Sequence, residues 1–200
     1  MAQSDGRRAR GKQRYELLMT AAIRVIRTGI PSVTIRAVAE AAGVSIASVT
    51  YHFPTRTHLI RELCGEVAKR DAIATSRAFD ELRAQSDLAT ISPVHLSKWL
   101  LNLLYDPDQW ILTMFSTYLE IAREPELAPI CRKWEQSLVD ILATALAEAG
   151  APAPDRAARL LAATLDGMRL PLLAEPRTTP RQIEIDDLAA LLGWLLNRSP

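Results

Sequence analysis

A 20-residue stretch beginning at Thr34 and ending at Phe53 constrains the fold most, because it has the pattern of two short helices joined at a glycine. In its first half, apolar residues recur at the i, i+3, i+4, i+7 spacing of one helix face. These residues are Ile35, Val38, Ala39 and Ala42. Thr34 precedes the run as an N-cap, and Gly43 follows it where a left-handed residue commonly ends a helix. Ser45 can cap a second helix, in which Val49 and Phe53 face inward together.

The outward face of this second helix suits the major groove of DNA. It carries no acidic side chain, begins with small residues and ends with hydroxyl and imidazole donors. The face consists of Ile46, Ala47, Ser48, Thr50, Tyr51 and His52. Small side chains permit close approach to base edges, and polar tips reach bases and phosphates. The stretch therefore predicts a helix-turn-helix DNA-binding element, and the alternative is a surface helical hairpin with no ligand.

The charge distribution supports this interpretation. Residues 1–61 hold ten Lys and Arg against three Asp and Glu, whereas the rest of the chain holds 14 against 20. A basic first third beside an acidic remainder is typical of a DNA-contacting module fused to a different one. Five basic residues at the start form an arm that is either a solvated tail, unstructured alone, or a segment that follows phosphates or a minor groove. They are Arg7, Arg8, Arg10, Lys12 and Arg14.

Residues 14–62 resemble the DNA-binding domain of the TetR family of repressors. The resemblance rests on a set of motif positions in a fixed order. They are Thr34, Val38-Ala39, Ala42-Gly43-Val44-Ser45, Ala47-Ser48-Val49-Thr50-Tyr51-His52-Phe53 and Pro54-Thr55-Arg56. Two positions depart from the family pattern: Thr50 stands where Tyr is frequent, and Arg56 stands where Lys is frequent. Both keep hydrogen-bonding capacity, and both leave the base preference open.

The resemblance also implies roles for individual residues. Thr34 and Arg56 would hold phosphates, with Tyr51 and His52 assisting. Arg36 would reach either a guanine or a phosphate. The residues that would face base edges are Ser45, Ile46, Ala47, Ser48 and Thr50.

The whole chain is predicted to be all-α, with about nine helices and no strand-like alternation. Residues 1–55 would form the arm and the DNA-binding domain, and residues 56–200 a helical effector-binding and dimerisation domain. A stripe of apolar residues predicts helix 1, with Gly29 as its stop signal. The stripe consists of Tyr15, Leu18, Ala22, Val25 and Ile26.

Caps and prolines mark the later helices. The expected N-caps are Thr55, Ser92 and Thr179, and the 106–109 segment resembles a capping box. The Glu124-Pro125 step favours a break. The remaining helices are expected at about 127–148, 155–174 and 180–197.

The last two helices have broad Leu- and Ala-rich faces that need covering. The family resemblance implies that they pair with their copies in a four-helix dimer interface, and the core of a monomer is the alternative. The predicted interface consists of Leu161, Leu165, Met168, Leu172, Leu188, Leu192 and Leu195. A two-fold dimer suits a palindromic operator.

The family resemblance further implies an effector pocket in the middle helices, whose composition favours a largely apolar or aromatic molecule. The residues that could line it are Trp99, Leu103, Trp110, Met114, Phe115, Tyr118, Trp134 and Met168. Polar anchors could come from His95, Asp166 and Arg169. A DNA-binding regulator or architectural protein without an effector is the alternative function.

Several other classes of protein lack support in the sequence. The chain has no run of 18 apolar residues and no secretory h-region, so we expect a cytoplasmic protein. Cys64 and Cys131 are too few for a disulfide framework. The sequence contains no HExxH metal motif, no Gly-rich phosphate loop and no zinc-type Cys pair. We therefore predict no catalytic residue, metal or cofactor.

Overall fold

The computed structural model describes residues 2–28, 32–105 and 110–197, with side chains from residue 11 onward. Across these residues the protein contains nine α-helices and no strand, which confirms the predicted all-α class. The α-helices are α1 (Ala2–Ile26), α2 (Ile35–Ala42), α3 (Ile46–His52), α4 (Arg56–Gln85), α5 (Pro93–Leu104), α6 (Trp110–Arg123), α7 (Ala128–Glu148), α8 (Pro154–Arg169) and α9 (Gln182–Leu195). Short 3₁₀ turns follow α6 at Pro125–Leu127 and α8 at Leu170–Leu173.

Two helix ends differ from the predictions. The backbone of the basic arm is not an unstructured tail, because α1 begins at Ala2 and runs through it. The N-cap of α9 is Arg181 rather than Thr179, because the Glu184 carboxylate accepts the Arg181 backbone N–H at 2.7 Å. The predicted stop at Gly29 and the capping box at 106–109 lie outside the described residues.

The described chain divides into two compact units. Unit 1 comprises the residues up to Lys69 together with Leu112–Cys131, and unit 2 comprises Arg70–Ile111 together with the residues from Arg132 onward. The expected boundary after residue 55 therefore falls inside unit 1, because the first half of α4 and most of α6 belong to it.

The core of unit 1 is formed where α1 packs against α2 and α3. Leu18, Ala22 and Ile26 of the predicted stripe are buried, whereas Tyr15 and Val25 are half-buried. The inward residues of the later helices complete the core. They are Val38, Val49, Phe53, Leu59, Leu63 and Val67.

The core of unit 2 is larger and is built mainly from leucine and alanine. Its apolar side chains come from the second half of α4 and from α5, α7, α8 and α9, and α5 packs along α9. At one end of this pair the Tyr105 hydroxyl donates to Glu184 at 2.6 Å, and Arg177 binds the same carboxylate. Within the described residues, no helix combines the length and apolarity that a membrane span requires.

Candidate functional site

The α2–α3 hairpin is fixed by caps that act over three to five residues. The Thr34 Oγ accepts the Ala37 backbone N–H at 3.0 Å, and the Ser45 Oγ accepts the Ser48 N–H at 3.2 Å. Gly43 ends α2 with a φ of 64°, a left-handed conformation that glycine adopts without steric cost. Its N–H and that of Val44 return to carbonyls of α2.

One face of α3 is open to solvent while the other is in the core. Val49 and Phe53 are fully buried, whereas Ile46 is 52% exposed and Tyr51 is 84% exposed. Ser45, Ala47 and Thr50 are also exposed, and Ser48 and His52 are half-buried. The predicted outward residues therefore form one surface, with a protruding aromatic side chain at its end.

Two side chains of this surface are partly committed to local bonds. The Thr50 hydroxyl donates to the carbonyls of Ile46 and Ala47, each at 3.2 Å, which leaves its methyl group and its lone pairs for DNA. The His52 ring lies against Tyr51 and Tyr15 in edge-to-face geometry, with centroids at 5.2 and 6.3 Å. These contacts orient the end of α3.

The two predicted arginine contacts have different surroundings. Arg36 is exposed at the start of α2. The Arg56 Nε–H donates to the Val33 carbonyl at 3.0 Å, and its Nη2 lies 3.7 Å from the Glu120 carboxylate. Glu120 was not among the predicted site residues, because 64 positions separate it from Arg56 and no local pattern relates them.

A second long-range contact within unit 1, between α1 and α4, was also not predicted from the sequence. The Tyr15 hydroxyl of α1 donates to the Glu62 carboxylate of α4 at 2.8 Å. Burial and this carboxylate raise the pKa of Tyr15 above its ordinary value, so the hydroxyl stays protonated. Tyr15 also packs on Phe53 with ring centroids 5.7 Å apart, which ties α1, α3 and α4 together.

The predicted effector residues are divided between the units. In unit 1, Met114 is buried and Phe115 and Tyr118 are half-buried. In unit 2, Trp134 is buried and Leu103 is exposed. The half-buried members of unit 2 are Trp99, Trp110 and Met168.

A buried carboxylate organises two of these tryptophans. Asp71 of α4, only 6% exposed, accepts the indole N–H of Trp110 at 3.0 Å and that of Trp134 at 2.9 Å. Both donors are neutral, so they satisfy the carboxylate oxygens without supplying an opposite charge. Sequence patterns could not predict this cluster, because the three residues lie on three different helices.

Of the predicted polar anchors, two are paired with each other. Arg169 donates to the Asp166 carboxylate at 3.1 Å. Burial raises the pKa of Asp166, Arg169 opposes this shift, and the charges of Asp71 and Glu135 add to it. His95 is exposed in the first turn of α5, where its backbone N–H bonds the Ser92 cap.

The predicted dimer residues face the interior of unit 2 rather than solvent. Met168 is half-buried, and the other six have exposures of at most 7% in the single chain. They are Leu161, Leu165, Leu172, Leu188, Leu192 and Leu195. In the single chain these six leucines are core residues, and their place in a dimer interface stays a prediction. The exposed apolar side chains of this region are Leu160, Leu170, Ile183 and Trp194, and Trp194 is 65% exposed.

Two family models match the chain. Residues 18–63 match the model described as bacterial regulatory proteins, tetR family. Residues 97–198, about half of the chain, match the model described as the tetracyclin repressor-like C-terminal domain. No curated protein matches the sequence significantly.

Solved structures resemble the chain over most of its length. A TetR-family member from Streptomyces coelicolor A3 is 26% identical, with a TM-score of 0.68, 89% of this chain covered and 97% of the other. The multidrug binding protein EbrR in complex with imidazole is 27% identical, with a TM-score of 0.68 and coverages of 89% and 94%. The same protein in complex with ethidium is 26% identical, with a TM-score of 0.69 and coverages of 89% and 98%.

Proposed function

Since the chain belongs to the TetR family of transcriptional regulators, we propose that it is a dimeric repressor released from a palindromic operator by a small aromatic or apolar effector. The observation that carries the proposal is the exposed α3 surface, held on a rigid hairpin and lacking acidic residues. The proposal places the protein in the cytoplasm, where it has access to DNA.

The α3 surface supports insertion into a major groove. Ser45, Ala47 and Ser48 lie at its N-terminal end, where small residues allow the helix to approach base edges closely. Tyr51 protrudes at the other end, where its hydroxyl can reach a phosphate. Arg36 is exposed on α2, and its planar guanidinium can bind a guanine through two hydrogen bonds.

The exposed apolar residues of the α8–α9 region support a dimer interface. Trp194 and Ile183 lie on α9, Leu160 lies on α8, and Leu170 follows it. Large aromatic side chains supply much of the binding energy at protein interfaces, so Trp194 is the expected anchor. The dimer proposal therefore keeps the predicted helices but replaces the predicted residues.

Two observations support an aromatic effector. EbrR, a relative over most of the chain, is described as multidrug binding and holds the aromatic molecules imidazole and ethidium. In this chain, Trp110 and Trp134 are oriented by Asp71. A small crevice of unit 2, whose lining does not include these three residues, is formed by apolar side chains such as Phe79 and Leu100. Aromatic ligands suit such surroundings.

The operator proposal is tested by selecting bound duplexes from random-sequence DNA and sequencing them. We expect enrichment of one inverted repeat. Folded protein that enriches no sequence at low salt would contradict sequence-specific binding.

Variants of two arginines then separate positioning contacts from base contacts. Arg56→Ala should weaken binding to all sequences alike and flatten the logarithmic salt dependence by roughly one unit of slope. Arg36→Ala should cost about 1–3 kcal/mol and relax the preference at one position if it reads a base. A change of sequence preference in Arg56→Ala with an unchanged salt slope would contradict this assignment.

The effector proposal needs a separate measurement on the protein alone. All four tryptophans lie in unit 2, so quenching of tryptophan fluorescence by a panel of aromatic compounds reports binding there. Compounds that bind should also release the selected duplex, provided that they do not intercalate. Absence of any binding compound would favour the alternative, a DNA-binding regulator or architectural protein without an effector.

A further inference from the structure

Two arginines in the first turns of α4 face acidic residues of the segment formed by the end of α6 and its 3₁₀ turn. Arg61 pairs with Glu126 at 2.8 Å, and both side chains are about half or more exposed. Arg56 pairs with Glu120 at 3.7 Å, and here the carboxylate side chain is only 6% exposed. All four residues belong to unit 1. The two ion pairs differ in burial. Solvent therefore screens the Arg61–Glu126 attraction more than the Arg56–Glu120 attraction.

The Arg56 guanidinium is already engaged on two sides. Its Nε–H bonds the Val33 carbonyl immediately before the Thr34 cap, and its Nη2 points to Glu120. A carboxylate and a phosphate both attract the positive guanidinium, and here they compete for the Nη2 side. While Nη2 is directed at Glu120, that side of the guanidinium is occupied and meets a DNA phosphate less favourably.

We propose that Glu120 is an intramolecular competitor of the operator phosphate for Arg56, so that α6 directly lowers the DNA affinity of the free protein. The proposal rests on the phosphate role of Arg56 in the proposed function. A phosphate that draws Nη2 away leaves Glu120, whose side chain is only 6% exposed, without its charge partner, and an unpaired buried charge is costly. That cost reduces the affinity that the Arg56–phosphate contact would otherwise provide.

The Glu120 side chain is only 6% exposed, so its carboxylate has little contact with solvent. It lies in a small groove whose other walls include Thr57, Ile60 and Leu127. Burial, and then the charge of Glu120, raise the pKa of the Cys64 thiol to about 12, so the thiol stays neutral beside the carboxylate. Glu124 lies on the same groove but is exposed, which makes it a matched control.

The test compares Glu120→Gln with Glu124→Gln in operator binding at fixed salt. Glu120→Gln should tighten binding roughly fivefold or more, the lower end of typical coupling between sites. Glu124→Gln, which removes the same charge from the same groove, should change affinity far less. The salt slope should be equal in wild type and Glu120→Gln, because Arg56 meets the same phosphate in both complexes.

The gain must depend on Arg56. In an Arg56→Ala background, Glu120→Gln should therefore have no effect beyond that of Glu124→Gln. If Arg56→Ala flattens the salt slope but Glu120→Gln and Glu124→Gln behave alike, the competition is overturned while the phosphate contact stands. If Arg56→Ala leaves both the affinity and the salt slope unchanged, the phosphate role and the competition both fail.

A measurement on the wild-type protein avoids any folding defect of Glu120→Gln. The guanidinium resonances of Arg56, assigned by comparison with Arg56→Ala, should shift when operator duplex is added. Resonances that keep their free positions in the saturated complex would overturn the proposal.

Discussion

The helix caps of the α2–α3 hairpin in unit 1 and one end of the α5–α9 pair in unit 2 are held by hydrogen bonds of very different sequence separation. The caps Thr34 and Ser45 each bond a backbone N–H three residues ahead. In contrast, the bond between Tyr105 and Glu184 joins residues 79 positions apart. The first kind of bond follows from neighbouring residue types, whereas the second exists only when the whole unit has folded. The comparison predicts that single substitutions should have larger effects on stability in unit 2.

The largest effect is expected at Leu192, which is fully buried in the core of unit 2. Leu192→Ala should lower the free energy of unfolding by about 3–5 kcal/mol, because the lost burial and the remaining cavity add. Urea denaturation measures this change. Trp194→Ala, two residues away and exposed, should instead weaken self-association by about 2–4 kcal/mol, as sedimentation analysis would show.

The opposite result would support the predicted dimer residues. If Leu192→Ala dissociated the proposed dimer without changing the unfolding of the monomer, Leu192 would belong to the interface and the burial argument would be wrong.

Leu192 and Trp194 show what the sequence could not decide. The leucine spacing predicted α9, but this helix carries apolar residues around most of its circumference. Periodicity therefore could not decide which face of α9 is interior. In α3, by contrast, the predicted inward residues Val49 and Phe53 are fully buried, and the predicted outward residue Tyr51 is 84% exposed.

The bridging carboxylate Asp71 is expected to have the next largest effect. Asp71→Ala removes the acceptor of two indole N–H groups and should lower the free energy of unfolding by about 2–4 kcal/mol. Asp71→Asn keeps one carbonyl acceptor and should lose less. Equal losses in the two variants would show that the charge, rather than the hydrogen bonds, stabilises the cluster.

Glu184 tests the long-range bonds of the α5–α9 pair through pH. Burial raises its pKa, but hydrogen bonds from Arg177, Tyr105 and the Arg181 backbone outweigh this and lower the pKa from 4.5 to about 2. A lowered pKa in the folded state stabilises the protein above about pH 4.5, and the stabilisation is lost as the pH falls towards 2.

The variant Glu184→Gln should therefore unfold about 1–2 kcal/mol more easily than wild type at pH 7. The difference should shrink as the pH falls below about 4.5. Glu175, which pairs with Arg181 at 3.6 Å but is largely exposed, provides the control Glu175→Gln, for which little change is expected. A difference that stayed constant down to pH 2.5 would mean that the Glu184 charge is not responsible.

The smallest effects are expected at two glycines of unit 1, and they should differ in sign. Gly43 has a φ of 64°, and no atom lies near an added Cβ, so Gly43→Ala should cost about 1 kcal/mol from backbone conformation alone. Gly65 lies within α4 with equally open space, so Gly65→Ala should stabilise the helix by about 0.5–1 kcal/mol. Thermal unfolding of both variants measures the difference. A loss at Gly43 as large as that of Leu192→Ala would show that the short hairpin depends on the rest of its unit, and the contrast between local and long-range bonds would not hold.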